Sequence, residues 1–402
     1  MEVTCLQISK RIKSLSRSQT VEITNLARQL RQDGIDVISL SVGEPDFTTP
    51  KEIIDYASQM AEKGKTKYVA TDGLPELKQK IQEKMKRDNG LDYELNEIFV
   101  GAGAKQVLYN LFMALLDPGD EVVVPDPYWV SYTEQVKLAE GVPVIAHTTA
   151  DTAYKLTPEI LDEVVTDKTK ILVLNSPNNP TGSVYTLEEL QALADYLDDK
   201  DIIVIADEIY EVLVYDGEHI SLASISEAMK KNTIVINGVS KSHAMTGWRV
   251  GYACGDSDVI SAITKLQSQL VSSVSTPAQY AAVRAYDMDR TFLEEYNQLF
   301  KKRRENAYKK MVELPYVTCI KPEGAFYLFP YFKETAEKCG FNTVDDFVKA
   351  LLSEKHVALV PGSAFGYPDN LRLSYAVDEE TLNEAMDRLK LFIKEKLENT
   401  RK

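Results

Sequence analysis

Apolar residues fall along this chain in two rhythms. Short, nearly unbroken apolar runs occur at "IFVGA" (98–102), "EVVVP" (121–125), "VPVIA" (142–146), "KILVLN" (170–175), "IIVIAD" (202–207), "TIVIN" (233–237) and "RVGYACG" (249–255). Their length and β-branched content predict strands buried on both faces. Between many of them, segments such as 104–116, 157–165 and 186–199 carry the spacing of amphipathic helices. Strands alternating with helices predict an α/β fold with a mostly parallel, seven-stranded sheet sandwiched by helices. This block covers about 48–290.

The rest of the chain has a different rhythm. A long charged helical pattern over 289–314 leads into "YVTCI", "AFYLF", "VALVP" and "LRLSYA" (371–376), followed by a final helix. These short strands predict a smaller α+β domain, completed by an amino-terminal helix and strand over 21–41. The expected division is a large domain over 48–290 and a small domain built from 1–47 and 291–402. A chain of 402 residues exceeds what one hydrophobic core usually organises, which agrees with two domains. No internal repeat is visible.

Composition narrows the class. With 44% hydrophobic and 27% charged residues the chain reads as a globular enzyme, and a net charge of −15 argues against nucleic acid or an anionic membrane as partner. The one strongly basic run, "KKRRENAYKK" (301–310), fits the solvated face of a helix. Cys5, Cys254, Cys319 and Cys339 are widely spaced without a CxxC pair, which argues against a metal site and for a reducing compartment. Neither a signal-peptide pattern nor a membrane-length apolar run is present, so the expected location is the cytoplasm.

In open α/β sheets, ligands gather at the carboxyl ends of the strands. Four predicted strand ends carry chemistry here. "IFV" runs into "GAGAKQ", whose backbone N–H groups open a helix and suit an anion; the same glycines also suit a plain tight turn. "KILVLN" ends in "SPNNPTG", presenting Asn178 and Asn179 or forming an ordinary β-turn. "IIVIA" ends at Asp207, followed by Glu208 and Tyr210, and Asp207 alone reads equally as a helix cap. "TIVIN" ends before Lys241, which is flanked by Ser240 and Ser242, has Arg249 eight residues later, and alone reads as a surface lysine. Their recurrence at neighbouring strand ends favours a site. Two cations and a helix N-terminus suit a phosphate, a lysine suits an aldehyde, and a carboxylate suits a protonated ring nitrogen. Phosphate, aldehyde and pyridine together describe pyridoxal phosphate.

At these residues the sequence resembles the class I pyridoxal-phosphate aminotransferases of fold type I, over essentially its whole length. "GVSKSHAMTGWRVG" matches the family's lysine signature, and "SVGEPDF", "KYVATDGLPELK", "PYWVSY", "SPNNPTG", "DEIYEVLVY", "GAFY" and "LRLSYA" follow the family's order. The resemblance implies that Lys241 holds the cofactor aldehyde and shuttles a proton, and that Asp207 faces the pyridine nitrogen. It implies that Asn179 and Tyr210 serve the ring hydroxyl and that Trp129 stacks on the ring. Ala104 and Lys105 backbone, Ser240 and Arg249 would cradle the phosphate. Tyr68 would reach the phosphate of a neighbouring subunit, which implies a homodimer with shared sites. Arg372 and Asn179, assisted by the backbone at Gly43, would clamp the substrate carboxylate.

Within that family the sequence is most like bacterial aspartate aminotransferases. The distal-carboxylate arginine of one subgroup has no counterpart, since no Arg or Lys lies between Lys265 and Arg284. In the subgroup this chain resembles more closely, a lysine in the "GxKQ" turn serves instead, and Lys105 fits that place, with Ser18 and Thr20 near it by resemblance. The expected reaction is L-aspartate with 2-oxoglutarate; prephenate, aromatic amino acids or alanine are the alternatives. A nicotinamide dehydrogenase is a remote rival, because Gln106 stands at the third glycine position of the dinucleotide fingerprint. A non-catalytic cofactor-binding regulator usually carries an added DNA-binding module, for which this chain has no room.

Overall fold

The computed structural model describes residues 7–16 and 19–400. Its strands are β1 (Ile38–Ser39), β2 (Ile98–Gly101), β3 (Glu121–Asp126), β4 (Val142–His147), β5 (Thr169–Asn175), β6 (Ile203–Asp207), β7 (Thr233–Gly238), β8 (Gly251–Cys254), β9 (Tyr327–Leu328), β10 (Val357–Ala358), β11 (Val360–Pro361) and β12 (Leu371–Ser374). Seven of them form one sheet in the order β2-β8-β7-β6-β5-β3-β4. Only β8 runs against its neighbours.

The near-continuous apolar strands follow from burial on both faces. Val122, Val124, Ile171 and Val173 pack with the helices Ala104–Leu115 and Ser257–Leu270, while Val123, Leu172, Leu174 and Val204 pack with Leu187–Leu197 on the opposite side. Alternate residues of one strand therefore feed two cores. The fold is α/β, as the apolar pattern predicts.

A second, smaller framework lies beside this sheet. β11, β12 and β9 form an antiparallel sheet, and β1 pairs in parallel with β10, so segments near both ends of the chain meet at Ile38 and Val357. The helices Thr291–Val312, Val344–Lys355 and Glu379–Asn399 bury Phe300, Phe347 and Phe392 against these strands.

Several expected elements differ in detail. "VALVP" is not one strand: the chain changes partner at Leu359, from β1 to β12. "YVTCI" forms no strand, because Tyr316 takes a left-handed φ of 61° and only Thr318 bridges, to Tyr331. The 157–165 helix shortens to Pro158–Asp162, capped by the Thr157 hydroxyl. β8 starts at Gly251 because Arg249 has a φ of +59°. The basic run is not wholly solvated, since Arg303 and Arg304 are buried. Arg303 makes a paired contact with Asp46 at 2.7 and 2.8 Å, while Arg304 donates to Asp216 and to Pro322 O.

Candidate active site

The carboxyl ends of β2, β5, β6 and β7 open into one cavity of about 440 Å³. Asp207, the last residue of β6, is 2% exposed at its floor. Its Oδ2 accepts from the Tyr132 hydroxyl at 2.7 Å and its Oδ1 from Ile209 N at 3.3 Å. Burial raises its pKa to about 6, against the pull of the Tyr132 hydrogen bond.

Lys241 lies in the short helical turn Val239–Ser242 that follows β7. Its backbone is held by the Tyr296 hydroxyl, which donates to Lys241 O at 2.9 Å. Its ammonium donates to Gly43 O and sits 5.8 Å from the Tyr210 ring and 5.9 Å from that of Phe326. Burial lowers its pKa to about 8; Glu44 opposes that shift and Arg372 and Arg249 add to it. A lysine poised this way is partly neutral near pH 7, which a nucleophilic amine requires.

One end of the cavity is built for an anion. The helix Ala104–Leu115 begins there, and its first N–H groups have no intrahelical acceptor. Gly103 precedes it at φ +81°, where a Cβ would collide with the Arg249 guanidinium. Arg249 is fixed by donating to Thr246 O at 2.8 Å and Ala102 O at 3.3 Å, and Ser240 is buried beside Lys241.

Arg372, from the middle of β12, lines the same cavity and is 3% exposed. It donates to Asn179 Oδ1 at 2.9 Å and Ser41 O at 2.7 Å, while its buried Nε has no partner. The rings of Tyr327 and Phe365 lie 4.4 and 4.8 Å from its guanidinium carbon. Tyr327 also shares a 2.8 Å hydrogen bond with Tyr210. The Trp129 ring carries the Lys105 ammonium at 4.6 Å. Burial and then Arg249 lower the Lys105 pKa.

The structure thus gathers Lys241, Asp207, Tyr210, Asn179, Ala104, Lys105, Trp129, Ser240, Arg249, Arg372, Gly43 and Thr20 around one space. Ser18 lies outside the described residues. Tyr68 does not line this cavity; it projects outward, 89% exposed. Outside it, Glu208, Glu211 and His219 place ligand atoms within 4.8 Å of one another, but the Lys84 ammonium already contacts Glu211 and supplies a cation there.

The chemistry of the cavity fits pyridoxal phosphate. Arg249 and the helix N-terminus suit its phosphate, Lys241 its aldehyde, and Asp207 a protonated ring nitrogen. The profile of the family "Aminotransferase class I and II" matches residues 35–389. The chain belongs to that family. It is 51% identical to an aspartate aminotransferase of Bacillus sp. (strain YM-2) over 96% of this chain and 99% of the relative. An aspartate aminotransferase from Rhizobium meliloti superposes with a TM-score of 0.93 at 41% identity, covering 97% of this chain and 99% of that one. Its counterpart from Thermus thermophilus, solved with maleate, gives 0.92 at 40% identity, covering 96% and 100%.

This aminotransferase is a pyridoxal-phosphate-dependent enzyme of fold type I. Among the site residues that escaped the sequence reading are Tyr132 and Tyr327. Both stood inside matched motifs: Tyr132 ends "PYWVSY", three residues after Trp129, and Tyr327 ends "GAFY". Their contacts are with residues 75 and 117 positions away, which motif spacing does not reveal.

Proposed function

We propose that this aminotransferase moves the amino group of L-aspartate to 2-oxoglutarate, giving oxaloacetate and L-glutamate. One observation carries the reading. Lys105, Lys241, Arg249 and Arg372 line one cavity in a chain of net charge −15, and among the described residues none of them pairs with an acidic side chain. Lys241 suits the aldehyde and Arg249 the phosphate, which leaves Arg372 and Lys105 for two carboxylates. The names of the similar proteins and the maleate held by the Thermus thermophilus enzyme, itself a dicarboxylate, support this.

When bound, pyridoxal phosphate supplies an aldehyde for the amine and a protonated ring that draws electrons from Cα. The chain's own residues do the rest. Asp207 holds the proton on the ring nitrogen. Asn179 and Tyr210 would donate to the ring hydroxyl, and Trp129 would cover the ring; all three line the cavity. Ser240, Arg249 and the N–H groups of Ala104 and Lys105 hold the phosphate. Arg372, fixed by Asn179 and Ser41, would grip the α-carboxylate with the Gly43 backbone alongside and so orient the substrate Cα. The Lys241 amine, whose pKa burial lowers to about 8, would be the group that accepts and returns the substrate Cα proton. Thr20, which lines the cavity, would sit near the distal carboxylate on this reading.

The exposed Tyr68 supports a homodimer in which each subunit contributes this tyrosine to the other's phosphate site. Residues 48–290 are the cofactor-binding domain, and 1–47 with 291–402 the small domain; the separate β11-β12-β9 sheet supports this division. We place the enzyme in the cytoplasm; among the described residues no helix is long and apolar enough to cross a membrane. The test is a donor profile. Aspartate and glutamate should exceed alanine and phenylalanine in kcat/KM by about tenfold or more, the least that one charge-assisted contact supplies. Equal values would overturn the dicarboxylate assignment.

A further inference from the structure

Tyr327 sits where three parts of the site meet. It opens β9 and lies directly opposite Ser374 of β12. Arg372 precedes Ser374 by two residues and so shares its face, which makes Tyr327 and Arg372 diagonal neighbours across the ladder. That register brings the Tyr327 ring to 4.4 Å from the guanidinium carbon, where its π face attracts the cation. The Tyr327 hydroxyl lies 2.8 Å from that of Tyr210. A Cβ on Gly43 would collide with the same hydroxyl, and the Gly43 carbonyl receives the Lys241 ammonium.

We propose that Tyr327 is a positioning residue that couples the carboxylate clamp to the hydroxyl facing the cofactor ring. Its own hydroxyl donates to Tyr210, and its ring restrains Arg372. The proposal rests on the roles given above to Arg372 and Tyr210. Two neutral phenols share one hydrogen bond, so one of them keeps its proton free. With Tyr327 as donor, the Tyr210 proton is free to point into the cavity, and accepting a hydrogen bond makes Tyr210 a stronger donor. The reverse arrangement would turn the Tyr210 proton away from the cofactor. Tyr327 therefore touches the groups for both partners of the reaction through two separable features, a hydroxyl and a ring.

Tyr327→Phe removes the first feature and Tyr327→Leu both. A weaker donor leaves more negative charge on the ring oxygen and holds the adjacent proton more tightly. In Tyr327→Phe the pH midpoint of the holoenzyme's visible absorption should therefore rise by about 0.4–1 pH unit, the effect of one neutral hydrogen bond. Apoprotein affinity for pyridoxal phosphate, read by fluorescence, should fall about 2–10-fold. KM for the amino donor should stay within about twofold, because the ring remains. Tyr327→Leu should raise that KM by about 2–30-fold, the range of a cation–π contact.

In a Tyr210→Phe background, Tyr327→Phe should leave the midpoint where Tyr210→Phe alone puts it. A further shift of equal size in that background would overturn the coupling. So would an unmoved midpoint in Tyr327→Phe when Tyr210→Phe moves it. If Tyr210→Phe itself leaves the midpoint in place, the role of Tyr210 fails first and the coupling falls with it.

Discussion

The Tyr132 hydroxyl donates to Asp207 Oδ2 at 2.7 Å in the cavity lining, and the Tyr132 ring stands edge-on to Trp129, with ring centres 5.5 Å apart. One residue thus touches both the acid proposed to face the ring nitrogen and the aromatic proposed to cover the ring. Removing the hydroxyl should raise the proton affinity of Asp207, whose pKa is already about 6. Cofactor binding to the apoprotein needs ionised Asp207, so its acid limb should lie near pH 6 and move up by about one unit or more in Tyr132→Phe, given about 1.5–3 kcal/mol for a hydrogen bond to a charged group. An unmoved limb would show that Asp207 ionisation does not govern binding.

Asp207→Asn keeps shape but cannot hold a proton on the ring nitrogen by charge. Turnover should fall by about 10²–10⁴-fold, the usual effect of removing one positioned proton or charge partner. Folding should be little affected. A loss below tenfold would place the ring nitrogen's partner elsewhere.

Burying Lys241 has a cost that the apoprotein should reveal. Its pKa falls from 10.5 to about 8 in the folded chain. Because the folded value is the lower one, the penalty is absent above about pH 10.5 and complete below about pH 8, where it reaches about 3 kcal/mol at 1.36 kcal/mol per pH unit. Lys241→Met apoprotein should therefore be more stable than wild type at pH 7, by about 1–3 kcal/mol in denaturant unfolding. The gain should shrink between pH 8 and 10.5. A loss, or a gain that ignores pH, would contradict the burial of the ammonium.

The sheet was legible because each strand feeds two cores and so carries few polar residues; "KILVLN" and "IIVIAD" end within one residue of β5 and β6. The smaller framework was harder to read. Its strands are two to four residues long, too short to carry a period, and the change of partner at Leu359 leaves no mark on the apolar pattern. In the site, Asp207 was visible because it ends a strand, and Lys241 because it lies in the short turn just after one. Arg372 does not end one; it was found through the "LRLSYA" match. Tyr132 and Tyr327 act through side chains that meet only after folding. The burial of Arg303 was likewise hidden, since its partner Asp46 lies 257 residues earlier.

Lys105 is the residue on which the proposed dicarboxylate preference can be tested. If its ammonium meets the distal carboxylate, Lys105→Ala removes a charge-assisted bond of about 1.5–3 kcal/mol. That corresponds to roughly 10–150-fold in kcat/KM for aspartate and glutamate. Alanine and phenylalanine lack that carboxylate and should be nearly unaffected. The quantity to compare is the aspartate-to-alanine ratio in wild type and variant. An unchanged ratio would remove the distal-carboxylate role from Lys105.

The central claim is that Lys241 carries the cofactor. Holoenzyme reduced with borohydride and digested for peptide mapping tests it most directly. The pyridoxyl group should be found on Lys241, in the peptide containing "GVSKSHAMTGW", and its visible absorption should bleach on reduction. A pyridoxyl group on Lys105 or on any other lysine would contradict the claim.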